Sequence, residues 1–301
     1  MSRKGEDILV KRYVPFLLVL PAFIVLFSVT IFPTVWSLYM SFHQYNPIIG
    51  KPTPVGWQNF NYVIHWDRFQ NSVVHLFYYL LFGVGIEMIL GITIALLLYE
   101  LIKSDKLRLL LLVLFIIPMM IPPSIVGTVW RFLLDPFSGV VNTILHFLHL
   151  PAVDWFGRKM ALTSLIIADI WEWTSLPLMI IYSGRVSLPQ SVYEAAWVDG
   201  ASQWTILRRI TLPMLKELIA IALIIRFMDA YKFIDKVTVM TQGGPGGASE
   251  LPSYLAYLVG AQQFNMGVAS AMTWIIGLGS IIVIMLFVKF MKKVLKSQKI
   301  A

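Results

Sequence analysis

The 301-residue sequence contains no cysteine, which excludes disulfides, thiol catalysis and thiolate metal sites. Charge is scarce as well. Only 13% of the residues are Asp, Glu, Lys or Arg, about half of the roughly 25% usual in soluble globular chains. No G-x-x-x-x-G-K-[ST] stretch occurs, so there is no phosphate-binding loop. The run Gly243-Gly244-Pro245-Gly246-Gly247 has no Lys after it and reads as a turn-forming loop. There is no H-E-x-x-H and no nucleophile elbow, and His146 and His149, at i and i+3, lack a third ligand for a metal. The expectation is a chain that is not an enzyme, with no catalytic residue, metal or cofactor of its own.

What is abundant is apolar surface: 58% of the residues are hydrophobic and the mean hydropathy is +0.75. A helix needs about 20 mostly apolar residues to cross the hydrocarbon core of a bilayer. Five segments satisfy this, over residues 14–40, 73–99, 109–130, 161–184 and 266–288. A sixth, 214–234, carries Lys216, Glu217, Arg226, Asp229 and Lys232 but is otherwise apolar. The predicted class is therefore all-α, a polytopic membrane protein with six transmembrane helices. It has a short tail over residues 1–13 and a transmembrane domain over 14–301. The first segment, at 27 uncharged residues, is too long for the apolar region of a signal peptide. The stretch 251–261 is too short to span and reads as interfacial or re-entrant. Pro118, Pro122 and Pro123 predict a bend within the third span.

The net charge of +8 does not form a stripe of the kind that binds nucleic acid. Sixteen of the 24 Lys and Arg residues fall in or beside the N-terminal tail, the second-to-third and fourth-to-fifth connections, and the C-terminal end. By the positive-inside rule these segments are cytoplasmic, which places both termini there. The localisation expected is a cell (inner or plasma) membrane, crossed several times.

The cytoplasmic connection over residues 185–213 has helical punctuation of its own. Ser191-Val192-Tyr193-Glu194 fits a capping box, and Asp199-Gly200 fits a helix end. Ser202 fits the cap of a second helix over 203–210, and Leu212-Pro213 a break before the next span. Glu194-Ala195-Ala196, three residues, Gly200, nine residues, Ile210-x-Leu212-Pro213 resembles the EAA motif of ATP-binding-cassette importer permeases, with every defining position filled. Looser similarity runs over nearly the whole chain, through Phe16-Leu17-Leu18-Val19-Leu20-Pro21, Gly56-Trp57-Gln58-Asn59-Phe60, Thr241-Gln242-Gly243-Gly244-Pro245 and Gly267-Val268-Ala269-Ser270-Ala271. It points to carbohydrate permeases of the maltose and glycerol-phosphate type, in a short six-span form without a large periplasmic domain.

The resemblance implies a type I importer permease fold and alternating access. It makes the first loop helix a coupling helix that docks on a separate ATPase, with Tyr193, Glu194, Ala195, Ala196, Trp197, Asp199, Gly200, Ile210, Leu212 and Pro213 as the coupling residues. The implied partners are a second, MalG-like permease, a dimer of ATPase subunits that bind ATP and Mg, an extracytoplasmic solute-binding protein and membrane lipid, with no nucleic acid. It also places sugar contacts on the spans either side of the loop. Asp169, Glu172, Trp173, Asp229, Tyr231 and Lys232 are the candidates there, since carboxylates suit sugar hydroxyls and aromatic rings suit the apolar sugar face. Asp169 or Glu172 paired with Arg226 across the bundle is the competing account of the same charges. Glu87 stands alone in the second span, suited to a partner subunit or a cavity. An ion-coupled secondary transporter and a structural assembly protein remain as alternatives, and the solute is open among sugars and sugar-like compounds.

Overall fold

The computed structural model describes residues 16–297, with side chains as far as residue 289. The tail expected over 1–13 and Lys299 lie outside the described residues. The chain divides into two compact units, residues 1–64 with 256–275 and residues 65–255 with 276–301.

In the first unit, helix α1 (Phe16–Ser41) is 26 residues long, and none of its most apolar window is buried. An uncharged helix that is bare all round needs lipid or another chain as its solvent. A two-stranded antiparallel ribbon follows, pairing His43–Gln44 with Thr53–Pro54, and then helix α2 (Gln58–His65). The Gly56-Trp57-Gln58-Asn59-Phe60 motif closes this corner. The Asn59 amide donates to the carbonyls of Ser41 and His43, both at 2.9 Å, while Trp57 and Phe60 pack on Phe42 with ring centroids 5.1 and 5.3 Å away. Gly267 is explained by the same corner: a Cβ there would sit 2.0 Å from the His43 carbonyl oxygen.

In the second unit, α3 (Asp67–Leu101) is a 35-residue helix with a wide, π-helical turn at Leu80–Val84. Helices α4 (Asp105–Met120) and α5 (Pro123–Leu133) occupy the predicted third span, but they meet at 98°. The bend expected from Pro118, Pro122 and Pro123 within 109–130 is thus present, as a full break between two helices. A residue before proline is pushed out of the helical region, and here two follow in succession. Ile121 has ψ 132° and Pro122 has ψ 135°, so the chain turns sharply before Pro123 restarts the helix. Helix α6 (Val140–Phe147) follows. Helices α7 (Ala161–Trp173) and α8 (Ser175–Val186) together form one 26-residue span.

The loop helices α9 (Gln190–Val198) and α10 (Gln203–Ile206) lead into α11 (Leu212–Ala230), α12 (Asp235–Met240) and α13 (Pro252–Tyr257). The last helix, α14 (Met266–Ser297), has a 24-residue apolar part. Among the described residues, four helices are long and apolar enough to cross a membrane, or five if the bent pair counts as one span. Helix α11 is not among them because of its charges, and it ends at Ala230, short of the Ile234 expected.

The second unit is held together where α3, α8 and α11 meet. Ala95, Leu98, Leu178, Ile181 and Leu215 form a buried cluster there. Two glycines set the spacing. A Cβ on Gly91 would stand 2.6 Å from Pro177 Cγ and 2.9 Å from the Leu178 backbone nitrogen, and one on Gly184 would stand 2.2 Å from Leu218 Cδ1. Gly91→Val is expected to cost about 1–3 kcal/mol through overpacking against backbone that cannot yield. Gly277→Ala, with open space around it, is expected to be neutral or better. Thermal unfolding of the detergent-solubilised variants checks both.

Candidate functional site

Two regions gather the polar and charged side chains. The first is the connection between α8 and α11. Helix α9 starts directly after Pro189, whose ψ of 123° places it as the extended residue before the helix, with no side-chain cap. The capping box expected at Ser191–Glu194 is therefore not formed: Ser191 is already inside the helix, two residues too late to cap it. The other end follows the expectation. Gly200 has φ +73°, and the amides of Gly200 and Ala201 return to the carbonyls of Trp197 (3.0 Å) and Ala196 (2.9 Å) in a left-handed helix stop. The Ser202 hydroxyl accepts from the Thr205 amide at 3.2 Å and caps α10.

No break occurs at Leu212-Pro213. A wide turn at Leu207–Thr211 joins α10 to α11, and the Leu212 amide reaches back to Leu207. The widened turn takes up the donor that Pro213 lacks and the room its ring needs.

The loop has an inside and an outside. Tyr193, Ala196 and Ile206 are buried against Leu188, Ala201 and Ile210. Glu194, Ala195 and Asp199 are exposed, as are Trp197 (47%) and Val198 (88%). Leu212 and Pro213 are half-buried. The sequence pattern thus places Glu194, Ala195, Trp197, Asp199 and Gly200 on the open surface, while Tyr193 and Ala196 serve the loop's own packing.

The second region is a buried cluster of charges between α3, α7, α11 and α12. Arg226 on α11 donates from Nε to Glu87 Oε2 (2.7 Å), and from Nη2 to Glu87 Oε1 (3.1 Å) and Asp169 Oδ2 (2.9 Å). Its Nη1 reaches Asp229 Oδ2 at 3.1 Å. Lys236 on α12 pairs with both Asp169 and Glu172, and the Tyr79 hydroxyl donates to Asp169. The Trp173 ring centroid is 4.7 Å from the Arg226 guanidinium carbon. Glu87, Asp169, Glu172, Arg226 and Lys236 are each no more than 1% exposed, whereas the Asp229 side chain is 43% exposed. Glu172 Oε1 has no hydrogen-bond partner among the described residues.

Three fully buried carboxylates therefore face two buried cations contributed by different helices. Spacings of three and four residues (169, 172, 173 and 226, 229) put these groups on single helix faces. One expectation is corrected here: Glu87 is not alone but holds Arg226. Lys236, which the sequence did not single out, is inside the cluster as well. A Lys two residues past the weak span predicted over 214–234 gives no sequence signal of burial. Tyr231 and Lys232 lie on the turn after α11, Tyr231 half-buried and Lys232 exposed.

A family model described as "Binding-protein-dependent transport system inner membrane component" matches residues 87–298. The chain is 33% identical over 274 residues to the trehalose/maltose transport system permease protein MalF of Thermococcus litoralis, covering 91% of this chain and 88% of that protein. It is 30% identical over 261 residues to the glucose import system permease protein GlcT of Saccharolobus solfataricus, covering 85% and 90%. Among solved structures, a chain of a bacterial alginate ABC transporter, crystallised with an alginate pentasaccharide-bound periplasmic protein, matches with a TM-score of 0.83. The match covers 98% of this chain and 99% of that one at 21% identity, a likeness of fold.

Breaking a buried charge pair from one side costs about 3–5 kcal/mol, because it strands the other charge. Arg226→Met is accordingly expected to deplete folded protein from the membrane and lower its melting temperature sharply. Arg226→Met combined with Glu87→Met is expected to recover part of that loss, measured as a double-mutant cycle.

Proposed function

Because the chain belongs to the family of binding-protein-dependent transport system inner membrane components, we propose that it forms half of the translocation path of an ATP-driven sugar importer. The observation that carries the reading is the exposed surface of α9, where Glu194, Ala195 and Trp197 stand out from a short helix fixed by Gly200. The relatives named for trehalose, maltose and glucose support a sugar as the solute. The sequence holds no phosphate-binding loop, so the ATPase is a separate chain that docks on α9. A second, MalG-like permease completes the pore, and an external binding protein delivers the solute.

In this reading the chain crosses the membrane six times, with the bent α4–α5 pair as one crossing and α11 as another. The charges of α11 are tolerated because Arg226 faces the bundle interior. Both termini and the α9 loop lie in the cytoplasm, where the Lys and Arg residues collect. Closure of the ATPase dimer moves α9, and the path opens outward and then, after hydrolysis, inward. Asp229, Trp173 and Tyr231 have surface left to meet a sugar, with Lys232 beyond them. Asp169 and Glu172 hold that face in place through Arg226 and Lys236.

Reconstituted with its partner permease, ATPase and binding protein, the chain is expected to take up labelled sugar only with ATP. Glu194→Lys and Gly200→Trp are expected to reduce uptake by about thirtyfold or more, the loss typical of a hot-spot residue, while the protein stays in the membrane. Normal uptake in both variants would overturn the docking assignment.

A further inference from the structure

Arg185 lies at the end of α8, immediately before the loop, where a lysine or arginine serves the charge bias of the membrane by pointing into water. It does the opposite: it is 2% exposed. Its Nε and Nη2 both donate to Glu100 Oε1, at 3.1 and 2.6 Å. Its guanidinium carbon is 4.0 Å from the ring centroid of Tyr99 and 4.1 Å from that of Tyr193. Tyr99 and Glu100 end α3, and Tyr193 is the inward-facing residue of α9. The Tyr193 hydroxyl lies 3.1 Å from the Thr211 hydroxyl, with Thr211 in the wide turn that leads into α11.

One guanidinium at the end of α8 therefore touches the end of α3 and the loop helix, and that loop helix is bonded to the turn that starts α11. The arrangement matters because covalent connection alone is weak there. Only residues 187–189 join α8 to α9, and a link of that length lets a short helix pivot when it is pushed. Planar Arg suits the position, since its flat face packs on aromatic rings while its edge binds a carboxylate. Arg185 Nη1 is buried without a hydrogen-bond partner among the described residues.

We propose that Arg185 is a positioning residue that clamps α9 to the ends of α3 and α8, so that force on α9 reaches the membrane helices instead of tilting the loop. The inference rests on the docking reading of α9 and names the joint through which docking acts.

The test is the number of ATP molecules hydrolysed per sugar taken up by the complete reconstituted transporter. In Arg185→Ala, uptake falls while ATP hydrolysis persists, so the ratio rises by about tenfold, within the range by which coupling residues act. Arg185→Lys gives an intermediate ratio, because an ammonium keeps the Glu100 pair but cannot lie flat on the rings. An unchanged ratio in assembled Arg185→Ala overturns the proposal, since a purely structural role lowers uptake and hydrolysis together. If that variant does not assemble, Arg185→Lys and Tyr99→Leu carry the test, and unchanged ratios in both overturn it. Because the chain has no native cysteine, Val198→Cys offers a unique thiol for cross-linking to the ATPase. A cross-link with unchanged ratios removes only the Arg185 clamp. No cross-link removes the docking reading and the clamp with it.

Discussion

The second unit depends on one guanidinium. Arg226 is fully buried, and its hydrogen bonds end on Glu87 of α3, Asp169 of α7 and Asp229 of its own helix. In lipid, apolar surface gives helices little reason to choose one another, and polar contacts and close packing decide which faces meet. Lys236 extends the network to Glu172, so four elements agree on a single arrangement. The tight approaches at Gly91 and Gly184 act nearer the loop end of the same helices. Charge fixes the unit at one depth, and small residues fix it at another.

The α9 loop shows a division of labour that a motif alone does not reveal. Its residues alternate between those that hold the loop and those that present a surface. Tyr193 and Ala196 close the inner side, and Gly200 reverses the chain at φ +73°, a conformation that side chains with a Cβ adopt only with strain. Glu194, Ala195 and Trp197 are then free to meet something else. Family membership and the exposed helix point the same way.

Much of this was legible in the sequence. The long apolar stretches yielded α1, α3, the α7–α8 span and α14, because an apolar run of about 20 residues is long enough to cross a bilayer and too greasy to face water. Asp199-Gly200 and Ser202 marked loop ends because their physics is local. The failures were also local rules overridden by neighbours. Ser191 lost its capping role because Pro189 starts the helix two residues earlier. Pro213 did not break the chain because the preceding turn widened to receive it. Glu87 looked solitary because its partner is 139 residues away, a distance that no spacing rule reaches.

The wide turn at Leu80–Val84 also governs phase. Successive residues of an ordinary α-helix are rotated by about 100°, so Tyr79 and Glu87, eight positions apart, would point about 80° away from each other. Looping out one residue makes them behave as if seven apart, which brings them within about 20° of a common direction. Both then meet Arg226 and Asp169. A single extra backbone step, invisible in hydropathy, thus works as a rotational shim: shortening the turn by one residue would leave the helix long and apolar enough to span, yet turn one of its two polar groups toward lipid.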